Sequence, residues 1–334
     1  MITPDLPIAK WQQDLRHAIR SPAELLDAVA VAPADLAEPP PEDIGFPLRV
    51  PRSFVARMRR GDARDPLLLQ VLPQARETLT TPGFDRDPVG EQQLLDRTGL
   101  IRKYRGRALV ITTAACAVHC RYCFRREFPY ARASADTDRW RASVAAIAAD
   151  PSIDEVILSG GDPLSLSDRR LQAMLADIDA IGSVRRIRLH TRQPVVLPSR
   201  VDAGLLSVLA GLRSSLVIVI HANHANELDA EVQAALSGLK DSGALLLNQS
   251  VLLRDINDDP ATLVDLSLAL HDSGVIPYYL HLLDRVNGAA HFEVGEERAR
   301  AVAREMHAQL PGYLMPRLVR EEAGMPGKTW LAFT

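Results

Sequence analysis

Three cysteines fall within eight residues, Cys116-Ala-Val-His-Cys120-Arg-Tyr-Cys123, and the rest of the 334-residue chain contains none. A chain that uses cysteine nowhere else is using it neither for packing nor for disulfides. Thiolates at Cys-x3-Cys-x2-Cys spacing can gather round one iron–sulfur cluster, which normally takes four cysteines. Three leave one iron without a protein ligand, so a second molecule can bind there. A structural zinc knuckle is the plain alternative, with His119 as a fourth ligand. That histidine adjoins Cys120 and would strain to reach the same metal.

Two further segments carry chemistry. Gly160-Gly161-Asp162 lets the backbone approach a ligand closely. Gly327-Lys328-Thr329 looks at first like a phosphate loop, but that motif needs glycine at position 322, which is Glu, and leaves no room for the following helix. Lys328 is better read as an amine nucleophile.

The elements that must position these residues are legible from about residue 107 onward. Apolar runs rich in β-branched residues recur at 108–113, 155–159, 186–191, 216–221, 244–250 and 276–282. Amphipathic stretches of helical period lie between and after them, at 138–149, 168–180, 202–212, 228–241, 260–272 and 296–308. This pattern is that of a parallel sheet covered by helices. A further strand is expected at 313–319. Six units are too few for a closed eight-fold barrel, so a partial barrel and an open doubly wound sheet both satisfy it. Polar residues at successive strand ends (159–162, 190–192, 221–223, 248–250 and Asp284) favour the barrel, whose strand ends converge on one mouth. The expected fold is α/β, a partial (β/α)6 TIM-like barrel over 101–334.

Residues 1–100 read differently, as a helical extension and connector. The first 90 residues hold 13 of the 23 prolines. Ser21 as N-cap, Pro22 at the first helical position and Glu24 closing a capping box predict a helix start. The net charge of −3 argues against a general nucleic-acid surface. No apolar run reaches the length of a membrane span and no signal peptide is apparent, so the expected location is the cytoplasm, without membrane partners.

Cys-x3-Cys-x2-Cys directly after a first barrel strand, with Tyr122 before the last cysteine, resembles the radical S-adenosylmethionine (radical SAM) signature. Over most of 100–330 the chain is similar to the lysine 2,3-aminomutase family. The likeness is carried by Cys120-Arg-Tyr-Cys-Phe-Arg-Arg126, Leu158-Ser-Gly-Gly-Asp-Pro-Leu164, Thr191-Arg-Gln-Pro-Val-Val-Leu-Pro198, Asn248-Gln-Ser-Val-Leu-Leu-Arg254, Pro277-Tyr-Tyr279 and Gly327-Lys-Thr329.

The resemblance implies a [4Fe–4S] cluster on Cys116, Cys120 and Cys123, whose open iron takes S-adenosylmethionine. It places Tyr122, Gly160, Gly161, Asp162, His221 and Gln249 around that molecule. It implies pyridoxal 5′-phosphate in Schiff-base linkage to Lys328, with Lys103, Tyr104 and Arg107 holding the phosphate. Arg125 would grip the substrate α-carboxylate, and Asp284 with Glu321 would pair with the distant ε-ammonium of L-lysine. The second of these acids is aspartate in the long-chain members and one methylene longer here.

The implied reaction moves nitrogen from the α to the β carbon after a deoxyadenosyl radical removes a β-hydrogen, and needs an electron donor such as flavodoxin or ferredoxin. Chain length, Phe124-Arg-Arg126 and Glu321 resemble the short bacterial subfamily that makes (R)-β-lysine, which a dedicated ligase attaches to elongation factor P. A glutamate 2,3-aminomutase should lack the two acids. A non-enzymatic iron–sulfur sensor should carry a DNA-binding face, and none is evident.

Overall fold

The computed structural model describes residues 8–43, 45–133 and 135–333. Nine strands form one sheet in sequence order. They are β1 (Leu100–Ile101), β2 (Arg107–Thr113), β3 (Glu155–Gly160), β4 (Arg186–Thr191), β5 (Ser215–Ile220), β6 (Leu245–Val251), β7 (Ile276–His281), β8 (Arg317–Arg320) and β9 (Thr329–Trp330). Neighbours from β2 to β8 pair in parallel. The two-residue strands β1 and β9 pair antiparallel on either edge. Among the described residues no ladder joins β1 to β9, yet Lys103 and Tyr104 after β1 reach Glu321 after β8, so the sheet curves into a partial barrel with an open seam.

Helices Thr137–Ala148, Asp168–Asp179, Ala203–Leu209, Ala230–Asp241 and Pro260–Asp272 connect successive parallel strands, and Glu296–Gln309 precedes β8. The first five begin at Asp136, Ser167, Asp202, Asp229 and Asp259, each accepting a backbone N–H of the first turn. Such caps contribute about 1 kcal/mol each and set where the chain leaves each strand-end loop. The outer faces of the strands (Val156, Leu158, Ile187, Leu189, Ile218, Ile220) join Leu171, Leu175, Val232 and Leu236 of the helices in the main core. The alternate residues are left to line the interior.

Two expectations need correction, and two short strands were not anticipated. The strand expected at 313–319 starts only at Arg317, because the chain turns through Gly312–Leu314 between Pro311 and Pro316. Strands β1 and β9 are too short to register as a periodic pattern. Ser21 caps Pro22–Val29 as expected, but the capping box is half formed: the Glu24 carboxylate pairs with Arg52 at 2.5 Å instead of returning to its own helix.

The N-terminal part contributes Trp11, Ile19, Leu25, Val29, Phe54, Leu67 and Leu68 to a second apolar cluster, which also contains Ala117 and Val118 of the cysteine loop and Val196 and Leu197 after β4. The extension therefore buttresses the loop that carries the cysteines. No helix among the described residues is long and apolar enough to cross a membrane.

Candidate active site

A single cavity of about 920 Å³ runs along the inside of the barrel and is lined by every site residue named from the sequence. At its mouth the loop after β2 carries three free, half-buried cysteines. Burial pushes the Cys116 thiol up, and the Cys123 thiol up to about 11, so in the bare protein neither is poised to ionise. The loop is pinned from outside: His119 donates its backbone N–H to Arg49 and its ring contacts the Pro47 carbonyl at 2.9 Å. The buried Arg121 guanidinium is clamped on Glu77 at 2.5 Å. Among the described residues no three His, Cys, Asp or Glu side chains close round a single ion. Three thiols on one open loop, held apart yet facing one space, fit a cubane cluster better than a lone zinc.

Gly160 and Gly161 form the wall beside this loop. Gly160 has φ of +125°, and a Cβ on Gly161 would stand 2.4 Å from the Ala115 carbonyl oxygen. Only glycine lets β3 end this close to the cysteine loop. Asp162 is buried, which raises its pKa to about 6 despite the bonds it accepts. Those bonds come from Thr191 Oγ1 at 2.7 Å and from the backbone N–H groups of Arg192, Leu164 and Gln193. Its carboxylate is thus committed to tying β3 to β4. His221 and Gln249 meet at 3.1 Å across the cavity, and burial keeps His221 neutral, with a pKa near 3. The Tyr122 hydroxyl accepts from Asn223 at 2.6 Å and faces Gln70 at 3.3 Å.

The open seam holds the other reactive group. Glu321, just after β8, accepts from Lys328, from Lys103 and from the Tyr104 hydroxyl. Burial would raise the pKa of this carboxyl, but the charge of Lys328 and these hydrogen bonds hold it at about 2. The Lys328 ammonium also lies 5.6 Å above the Tyr279 ring. Arg107 packs over the Tyr104 ring at 5.2 Å. Asp284 also faces the cavity; enclosure raises its pKa to about 7, with Lys328 opposing that rise.

Arg125 makes a two-pronged pair with Glu91 at 2.7 Å, and its remaining prong donates to Ser159 Oγ at 2.8 Å. Burial works against its charge, but the Glu91 carboxylate outweighs that and holds Arg125 firmly protonated.

The sequence reading missed Glu91 and Arg192. Glu91 lies in the irregular connector, with no motif to mark it. Arg192 lies within a quoted stretch, yet nothing in the spacing shows that its Nη1 reaches Cys120 Sγ at 2.7 Å while Nη2 pairs with Glu227 at 2.9 Å.

The profile of the radical SAM superfamily matches residues 110–263. The L-lysine 2,3-aminomutase of Escherichia coli is 45% identical over 96% of this chain and 93% of that protein. The enzyme of the same name from Haemophilus influenzae is 39% identical over 99% of both. The one from Clostridium subterminale is 32% identical over 83% of this chain and 66% of its own length. With the cysteine loop, the glycine pair and the seam lysine gathered on one cavity, the chain belongs to the L-lysine 2,3-aminomutase family of radical SAM isomerases, which work with S-adenosylmethionine and an iron–sulfur cluster.

Proposed function

We propose that this enzyme converts L-lysine to (R)-β-lysine, using pyridoxal phosphate held by Lys328, Lys103, Tyr104 and Arg107 beside the cluster site. The observation that carries this is the polarity of the cavity. A guanidinium, Arg125, stands toward the cysteines, and two carboxylates, Asp284 and Glu321, stand around Lys328. A substrate with a carboxylate at one end and an ammonium at the other matches that arrangement, and glutamate does not.

When bound, the cluster with S-adenosylmethionine supplies a hydrogen-abstracting carbon radical, and the pyridoxal ring supplies a π-system across which nitrogen can move. The protein's part is placement. Arg125, fixed by Glu91, orients the carboxylate. Glu321 and Asp284 fix the far ammonium, and so set which β-hydrogen faces the cysteine end. Apolar walls such as Leu109, Ile157 and Val251 keep water from the reacting centre. Neutral His221 adds no competing charge beside the S-adenosylmethionine site. An electron donor such as flavodoxin or ferredoxin would reduce the cluster. The β-lysine would pass to the ligase that modifies elongation factor P, a role supported by the similarity of Phe124-Arg-Arg126 and Glu321 to the short bacterial subfamily.

The test is anaerobic reconstitution with iron, sulfide, pyridoxal phosphate, reductant, S-adenosylmethionine and L-lysine, with chiral chromatography of the product. (R)-β-lysine that vanishes in Lys328→Ala and Cys120→Ala supports the proposal. Formation of 5′-deoxyadenosine without β-lysine would overturn the substrate.

A further inference from the structure

Where β2, β3 and β4 begin, beside the cavity, three arginines face two acids. Glu155, at the first position of β3, is 4% exposed and faces three arginines: Arg188 at 2.6 Å, Arg107 at 3.9 Å and Arg186 at 3.9 Å. Arg186 has a second acid, Asp154, at 2.7 Å. Among the described residues no other carboxylate lies within ion-pair distance of Arg107 or Arg188. One buried acid therefore serves two guanidinia. Both arginines line the cavity, together with Tyr104 and Tyr278.

The strand register explains why they meet. Arg107 is the ladder partner of Glu155 across β2 and β3. Arg188 sits opposite Ile157 on β4, two residues before His190, and its side chain shares the cavity with both. Arg188 reaches back to Glu155, and Arg107 reaches across to it from the other side. Arg188 gives its Nε and Nη2 to Glu155, while Arg107, 39% exposed, has that acid only at 3.9 Å, so an anion with several acceptor oxygens can take the donors left over. Two arginine forks anchored by one acid are suited to a phosphate group, because each can give it two parallel hydrogen bonds.

We propose that Arg188 is a cofactor-binding residue, forming with Arg107 a clamp for the phosphate ester of a pyridoxal ligand. This rests on the reading that the cavity takes pyridoxal phosphate. Glu155 holds the Arg188 fork in place before the ligand arrives, with Arg107 at 3.9 Å on its other side. Arg188 lies 81 positions from Arg107 in the chain, and the two meet at one acid because β2 and β4 flank β3 in this register.

The test compares pyridoxal phosphate with pyridoxal, which has the same ring and aldehyde but no phosphate. Equilibrium binding to the full chain is read from the absorbance of the bound ligand, without substrate or radical chemistry. Arg188→Gln should weaken pyridoxal phosphate by about 10- to 100-fold, the scale of losing a charge-assisted hydrogen bond or two. It should leave pyridoxal within about twofold. Inorganic phosphate should displace pyridoxal phosphate from the unaltered protein at lower concentration than from the variant. Equal losses for both ligands, or no loss for either, would overturn the clamp. Arg188→Lys, which can keep its pair with Glu155, guards against a misfolded Gln variant: its preference for the phosphorylated ligand should fall between the two, and an undiminished preference overturns the clamp as well. If the unaltered protein binds neither ligand, the cofactor reading itself falls, an outcome distinct from a silent Arg188→Gln.

Discussion

Lys328 and Lys103 share one carboxylate, that of Glu321, and so the residue expected to receive the substrate's far ammonium is occupied by two of the protein's own. In the bare protein Lys328 stands where part of the substrate's charge would later stand. On the proposed function, binding would exchange one cation for another at Glu321, with little change of net charge around the seam.

The acid stability of the protein should report this arrangement. Glu321 titrates at about 2 in the folded chain, below its ordinary value. A depressed carboxyl contributes stability that is complete above the unfolded pKa, near 4.5, and is lost as pH falls through 2. Glu321→Gln should cost up to about 3 kcal/mol near neutrality, with the difference from the unaltered protein closing below pH 4. Chemical denaturation at a series of pH values measures it; a gap that stays constant across that window would contradict the pairing.

Asp284 points the other way. Its carboxyl is raised to about 7, first by enclosure. Its proton leaves only as pH passes through neutrality, so affinity for a ligand that places an ammonium there should rise between pH 6 and 8. Calorimetric titration of L-lysine into the loaded protein should show that rise, and Asp284→Asn should flatten it and weaken binding by about tenfold.

Glu91 should matter to substrate binding although it belongs to the connector. Its bidentate pair with Arg125 is buried on both sides. Glu91→Gln leaves the guanidinium without its counter-charge and orienting partner, a loss of about 3 kcal/mol or more in folding stability. At temperatures where the variant is folded, KM for lysine should rise while 5′-deoxyadenosine formation without lysine stays unchanged. A parallel loss of both would indicate damage to the cluster loop instead.

Gly161→Ala should be severe for a steric reason. The added methyl would sit 2.4 Å from the Ala115 carbonyl oxygen, and neither backbone can yield without moving the cysteine loop. A destabilisation of about 2–4 kcal/mol is expected, with iron content after reconstitution falling in step. Thermal unfolding and iron assay on the same sample check both.

Arg192 donates to Cys120 Sγ at 2.7 Å. A cation bonded to a cluster thiolate favours the reduced, more negative state. Arg192→Gln should therefore move the midpoint potential of the cluster to a more negative value, read by anaerobic redox titration. An unmoved potential in a fully loaded variant would show that the bond is not kept once the cluster binds.

The parallel core was legible because its signal is repetitive: each strand from β2 to β7 is a short β-branched run followed by an amphipathic stretch of helical period. The cysteine loop and Lys328 were legible because their chemistry is rare. What escaped was held by single contacts across long separations. Glu91 meets Arg125 from 34 positions away, Arg192 meets Cys120 from 72, and Glu155 gathers arginines from β2 and β4. No local period encodes such meetings. The strands β1 and β9 were missed for a related reason, since two residues of sheet carry no alternation to detect.

The seam gives the barrel an unusual fastening. Everywhere else its staves are joined by backbone ladders, which do not respond to solutes. Between the segment after β1 and the ends of β8 and β9, the join is made by Glu321, Lys103, Tyr104 and Lys328, the groups assigned to ligands in the proposed function. On the proposed function, loading the site would rewire the hoop that holds the staves together, and the rigidity of the barrel would become a function of what it contains.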